Sequence, residues 1–319
     1  MENITQEFLI KTLTDLWKRC TVNLPESVIK VMEKASQSET YPPAKSQIEA
    51  MIENARKATK LGLPACQSPG SLISYVRYGT GAGIKADIYK AIVEGVRRAT
   101  NEGFIRPSMV HPITRENTFD GTGDYMPVID VDLVLGADDV EITVMMKGFG
   151  AENVSDLVVL LPTEVGPNGE GIKKFVLDTL LRARGQACSP FKVGIGIGST
   201  IDCVARLSRF ALMRPWGERH IEPIYAKLET ELLNAINKLG LGPMYLSGDT
   251  TVFDVAIEAS FTHVVGLAVA CNLQCWCGRQ ATIKIAANGE VKEVPRPTLP
   301  SPQPWRPVGG WPWERKKSS

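Results

Sequence analysis

The sequence predicts a mixed α and β fold, with a helix-rich N-terminal layer over residues 1–105 and a mixed sheet with helices over residues 106–294. Three observations carry that prediction. Apolar residues recur at helical spacing through the first hundred positions. From about Met126 they gather into short β-branched runs bounded by Gly, Asp or Pro. Near the end, Asn288–Gly289 stands between two such runs and signals a two-residue hairpin.

Leu9, Leu13, Leu16 and Trp17 share one face of a first helix. Pro25 followed by Glu26 suits the first turn of a second. Ile48, Met51, Ile52 and Ala55 mark a third, stopped by Gly62, and Ile84, Ile88, Ile92, Val93 and Val96 a fourth that runs up to Gly103. Beyond them, Val128–Leu135, Val140–Met146 and Phe191–Ile197 read as strands, with a helix over Ile172–Arg184 closed by Gly185. Helices over Ile201–Met213 and Ile221–Leu239 follow. The alternation in Val252–Glu258 predicts a strand with one buried face. Ala281–Ile285 and Val291–Val294 are the arms of the hairpin. Residues 295–319 form a separate C-terminal extension, whose seven prolines exclude helix and whose Trp305, Trp311 and Trp313 predict an extended segment lying on its own domain or on a partner chain.

With 44% hydrophobic residues in 319, the chain has enough apolar surface for a large core. Lys plus Arg at 36 against Asp plus Glu at 35 leaves a net charge of +1, so no global field gathers nucleic acid or an anionic membrane. The uncharged run Thr262–Gly278 contains Asn272 and Gln274 and falls short of the about 20 apolar residues of a spanning helix, so it reads as core. Met1–Gln6 carries no basic residue before an apolar run, which predicts a cytoplasmic protein with reduced thiols. Its seven cysteines, at 20, 66, 188, 203, 271, 275 and 277, are then candidates for metal or catalysis rather than a disulfide framework. Cys275 and Cys277 lack the second close pair that a structural zinc site needs.

Several segments invite a chemical reading. Gly194, Gly196 and Gly198 precede a helix, but Ser199 and the missing third glycine spoil a dinucleotide fingerprint, and close approach of another segment explains them as well. Arg106, His111, Arg115, Asn117 and Thr118 crowd around Pro107 and Pro112, either as a rigid polar loop in which Arg106 grips a carboxylate or as a loop stapled by its own side chains. Lys147–Gly148 follows a strand directly, where bare backbone N–H groups can meet an anion or simply make a tight turn. His263, at the edge of the apolar run, reads as a core histidine when taken alone.

Taken in order, the segments resemble the cluster-binding part of class I fumarases and of the tartrate dehydratase α subunit, over roughly residues 5 to 290. The matching stretches are Leu63–Gln67, Arg106–Ser108 with His111–Arg115 and Asn117–Thr118, Lys147–Gly148 with Glu152–Asn153, Cys188–Pro190 with Val193–Gly198, and His263 leading to Asn272–Cys275 and Arg279. The resemblance implies the class I fumarase α-domain fold and a [4Fe–4S] cluster on Cys66, Cys188 and Cys275 with one iron left open. It further implies reversible hydration of a small hydroxycarboxylic acid of fumarate/malate or tartrate type. Gln67, Arg106, Lys147 and Gly148 would line the substrate site, His263 would be the active-site histidine, and a separate β-type subunit would complete the site in a hetero-oligomer or dimer.

This chain also departs from the pattern. Ser68–Pro69 stands where Asp–Thr is usual, Phe149 where a glycine is usual, and Ser199 interrupts a Gly–Gly. Ser68 is no general base at neutral pH without an activating partner. These departures keep open an altered, non-hydratase chemistry at an open-iron cluster and a catalytically silent subunit. Cys277 stays open as the third ligand in place of Cys275.

Overall fold

The computed structural model describes residues 4–299. The chain opens with helices α1 (Gln6–Val22), α2 (Glu26–Ser38) and α3 (Pro42–Leu61), then strand β1 (Ser71–Gly79) and helix α4 (Ile88–Asn101). Strands β2 (Val128–Val134) and β3 (Asp139–Lys147) follow, then the one-turn helix α5 (Phe149–Glu152), β4 (Asp156–Leu160), the one-turn α6 (Pro162–Val165) and α7 (Glu170–Ala183). The remainder is β5 (Phe191–Ile197), α8 (Ile201–Met213), α9 (Pro223–Asn237), β6 (Val252–Ala259), β7 (Leu267–Gln274), β8 (Gln280–Ala286) and β9 (Val291–Glu293).

The mixed α and β fold class holds, with two differences of detail. Strand β1 lies inside the span 1–105 expected to be helical. Both of its faces are covered along most of its length, so Ser71–Gly79 shows no period-2 alternation, and helix α4 starts only after it. Asp87 sets that start by accepting the Lys90 N–H at 2.9 Å, which leaves Ile84 ahead of the helix. The expected single sheet is two: β2-β1-β3-β8-β9 and β4-β7-β5-β6. Each contains one parallel pair, β1 with β2 and β5 with β6, and is otherwise antiparallel. Strand β6, expected to bury one face, buries both, and Asp254 is wholly enclosed within it.

Helix α8 separates the two sheets. Gly194 and Gly196 of β5 face it, and a Cβ at either would overlap the backbone oxygens of Ser208 and Val204. The alternating glycines are where a helix lies directly on a strand. From its other side α8 sets Phe210, Leu212 and Met213 against Ile73, Tyr75 and Met145 of the first sheet. Outside, α1 and α4 cover the far face of the first sheet, Leu9, Leu13 and Trp17 packing with Leu72, Val76, Ile142 and Val144. Helices α7 and α9 cover the second sheet through Val176, Leu180, Leu232 and Ile236. The order of layers is therefore helices, sheet, α8, sheet, helices.

After β9 the chain crosses to the α8 side of the first sheet. Pro297 is buried, Thr298 donates from N and Oγ1 to the two carboxylate oxygens of Glu141 at 2.6 and 2.8 Å, and Leu299 joins the cluster around Ile73. The extension thus begins on its own domain. Trp305, Trp311 and Trp313 lie outside the described residues.

Candidate active site

The two sheets bring strand ends together. In the first, Ser71 at the start of β1 pairs with Lys147 at the end of β3; in the second, Lys192 near the start of β5 pairs with Gln274 at the end of β7. The amide of Gln274 joins the two by donating to the Met146 carbonyl at 3.2 Å. All three cysteines of interest sit on the loops just outside these ends.

Cys66 lies between α3 and β1. Gly62 ends α3 in the left-handed region (φ 67°), a conformation glycine takes without a Cβ clash. The loop is then pinned on both sides of Ala65, whose N–H donates to the Thr21 carbonyl at 2.9 Å and whose carbonyl accepts from Asn54 Nδ2 at 2.8 Å. Gly70 closes it against the Lys147 carbonyl, with no room for a side chain between them.

Cys188 caps a short 3-10 helix, Arg184–Ala187, and precedes β5. Its carbonyl accepts the Trp276 N–H at 3.2 Å, which ties it to the turn after Cys275. Gly148 has its bare α-carbon turned toward Cys275, since a Cβ there would stand 3.2 Å from Sγ. Gly150 packs more tightly still on the Gln186 carbonyl, where a Cβ would overlap the oxygen, so the Gly148–Gly150 turn touches both the Cys275 and Cys188 segments.

Electrostatics separates the thiols. Cys188 is exposed at the surface, yet the protein packed around its sulfur, with Cys275 and Cys66 beside it, pushes its thiol up. Cys277 is fully enclosed, and burial pushes its thiol well above the ordinary range although Arg279 opposes the shift. Cys20 and Cys271 are pushed up to about 12 by burial alone as the leading cause. Cys188 therefore has Cys66 and Cys275 as its thiol neighbours, while Cys277, fully enclosed, has Arg279, Cys275, Cys66 and Cys20 about it. Among the described residues no three His, Cys, Asp or Glu side chains are close enough to hold a single metal ion.

The other predicted residues divide. Gln67 is exposed beside Cys66. Arg106 is exposed on the segment between α4 and β2; because β1 and β2 are parallel, that segment lies at the Ser71–Lys147 end of the sheet. Lys147 is wholly buried, and its ammonium holds the Glu152 carboxylate and Ser155 Oγ, the latter at 3.3 Å. Burial pushes Lys147 down and Glu152 opposes that shift. Ser155 Oγ in turn donates to Asn272 Oδ1 at 3.1 Å, a buttress that sequence reading did not single out.

His263 is elsewhere. It is exposed on the turn before β7, where its Nδ1 accepts the Val265 N–H at 3.4 Å. Cys275 is at the other end of that eight-residue strand, and at about 3.3 Å per residue the two lie roughly 26 Å apart. It is no core histidine, and its own chain does not bring it to the cysteines. His111 also serves its loop, Nδ1 accepting the Thr114 N–H at 3.1 Å.

A profile of the family described as fumarate hydratase (fumerase) matches residues 10–284, a span that holds all three cysteines. The chain belongs to this family of hydro-lyases. Among its relatives, a Methanocaldococcus jannaschii protein provisionally named L(+)-tartrate dehydratase subunit alpha is 39% identical over 282 residues, 88% of this chain and 98% of that one. The L(+)-tartrate dehydratase subunit alpha of Escherichia coli K12 is 31% identical over 292 residues, 90% of this chain and 95% of its own. The same identity and coverage hold for the Shigella sonnei protein of that name. Among the described residues no helix is long and apolar enough to cross a membrane.

Proposed function

We propose that this chain is the cluster-bearing α subunit of a hydro-lyase that adds or removes water across a carbon–carbon double bond next to a carboxylate. A tartrate-like hydroxy acid is the first substrate class, from the names of the relatives, and malate or fumarate the second. The observation that carries the reading is the meeting of Cys66, Cys188 and Cys275 at the joined ends of the two sheets.

The donor set fits an iron–sulfur cluster. Thiolates are its usual ligands, and in such a centre each metal atom takes one protein sulfur, so three thiols need not converge on a single ion. When bound, a [4Fe–4S] cluster on these three thiols supplies an iron free of protein thiolate, an open Lewis-acid position.

The remaining tasks fall to side chains and backbone. Arg106 offers a guanidinium fork that can hold a substrate carboxylate through two parallel N–H bonds, and Gln67 offers an amide beside Cys66. Gly148 keeps the space over Cys275 free of a side chain. Lys147 contributes indirectly: tied to Glu152 and Ser155, it fixes the turn that Gly148 starts. Cys275 serves as third ligand because it lies beside Cys188 and under the bare Gly148, whereas Cys277 is wholly enclosed.

The residues that flank the cysteines leave the base for the carbon-bound proton unassigned, with exposed His111, Glu116 and Asp124 on the Arg106 segment as this chain's candidates. Ser68 is not basic, Glu152 is engaged by Lys147, and His263 is a strand length away. A β-type subunit docked over the cysteines in a hetero-oligomer is the other source of a base, in keeping with the α-subunit names of the relatives. His263 acts at the cysteines of a neighbouring chain or has no part in the reaction.

The test is iron and acid-labile sulfide per chain after anaerobic reconstitution, with absorption spectra before and after tartrate, malate and fumarate. About four irons per chain and a spectrum that responds to one of these acids is the expected result. A chain that takes up no iron would sink the reading. A full cluster blind to all three acids favours the catalytically silent subunit that Ser68 keeps open.

A further inference from the structure

Arg279 directly precedes β8 and is 1% exposed. Its guanidinium has one hydrogen bond to protein, from Nη2 to the Ser68 carbonyl at 2.5 Å, which ties down the loop behind Cys66. Its Nε is buried without a partner. Among the described residues no carboxylate pairs with it, and its titratable neighbours are the thiols of Cys277, Cys275, Cys66 and Cys20, which are neutral while protonated.

The other enclosed cations are served differently. Lys147 has Glu152, Lys192 has Asp254, and Arg214 has Glu229 and Glu258. A buried charge without a counter-charge is among the costliest features a core can carry, and guanidinium cannot escape the cost by losing its proton. The thiols around Arg279 become its counter-charge only when they ionise, and ligation of a metal centre is what deprotonates a cysteine near neutral pH.

We propose that Arg279 is the counter-cation of the anionic centre on Cys66, Cys188 and Cys275, and this rests on the reading of that centre given above. Its fixed positive charge tightens cluster binding and makes the cluster easier to reduce, because reduction adds negative charge beside it. Without the cluster the same charge is a liability. Arg279 is thus a positioning and tuning residue that acts through the ligand loop and the field, not a group that touches substrate.

The experiment compares the full chain with Arg279→Met and Arg279→Lys under anaerobic reconstitution. Three readouts are taken: iron and sulfide lost to a chelator over time, the cluster midpoint potential from an EPR-monitored redox titration, and thermal unfolding of the metal-free forms. Arg279→Met should lose iron at least tenfold faster and have a more negative midpoint potential, while its metal-free form melts no lower than the unsubstituted chain. Arg279→Lys, which keeps the charge but not the fork, should fall between them.

Unchanged iron loss and potential in Arg279→Met would overturn the proposal. So would an equal loss of stability with and without the cluster, or failure of the metal-free variant to fold, since either marks a packing role. An unsubstituted chain that binds no iron overturns both this proposal and the reading beneath it, whereas a normal cluster in the unsubstituted chain and in Arg279→Met overturns this one alone.

Discussion

Between β5, β6 and α9, three cations meet three carboxylates: Lys192, Arg214 and Arg219 with Asp254, Glu229 and Glu258, of which all but Arg219 and Glu258 are enclosed. Glu229 alone serves Arg214 and Arg219 and accepts the backbone N–H groups of His220 and Ile257 at 2.9 and 2.8 Å. Beside the cysteines, Arg279 is enclosed with thiols and one carbonyl. Both regions bury charge, but in the first every cation has a carboxylate from the same chain and in the second Arg279 has none among the described residues. A self-contained network reads as architecture; an enclosed charge whose partners are ionisable sulfurs marks where the molecule expects something more.

The largest effect should come from breaking the self-contained network. Glu229→Gln takes the one wholly buried carboxylate from Arg214 and leaves it only Glu258, and removal of one partner from a buried pair costs about 3–5 kcal/mol. Denaturant unfolding of the metal-free chain would show the loss, while iron uptake by whatever remains folded should be normal. A loss below about 1 kcal/mol would mean that water reaches the network and the contrast is weaker than drawn.

The thiols sharpen the contrast through pH. Cys271 is buried away from Arg279, and burial pushes it up to about 12. Because the folded value lies above the unfolded one, its stabilising contribution is whole below about pH 9 and is lost as pH rises toward 12, by at most about 1.4 kcal/mol per pH unit. Cys271→Ala should flatten the fall of unfolding free energy across that window. An unaltered slope would show that Cys271 ionises freely in the fold.

A smaller effect is expected where the chain crosses Glu141. Thr298→Ala removes one of two hydrogen bonds to that carboxylate and should cost about 1 kcal/mol in thermal or denaturant unfolding. The smallest is at Cys188, which is exposed. Cys188→Ser should change the metal-free unfolding free energy by less than about 0.5 kcal/mol and still abolish iron binding. Iron retained at full level in that variant would remove Cys188 from the ligand set.

Local patterns in the sequence located most elements. Ile201–Met213 was legible as a helix with both ends correct, and Asn288–Gly289 marked the β8–β9 hairpin, because helical spacing and turn chemistry are carried by neighbouring residues. Strand β1 escaped because burial on both faces erases alternation. The assignment of strands to two sheets depends on pairings far apart in sequence, which no local window holds. The same limit governs the site. The cysteines could be matched by order and spacing, but the placement of His263 at the opposite end of β7, the engagement of Lys147 by Glu152 and the isolation of Arg279 are outcomes of packing.

The cysteine triangle also bears on when the protein can mature. Cys275 is translated long after Cys66 and Cys188, and its strand, β7, lies between β4 and β5, which precede it. A nascent chain still lacking β7 has two of the thiols and no frame to set the third against them. Any prosthetic group that needs all three is therefore acquired only once β7 has been made and set between β4 and β5, not by capture on the first two thiols as they emerge.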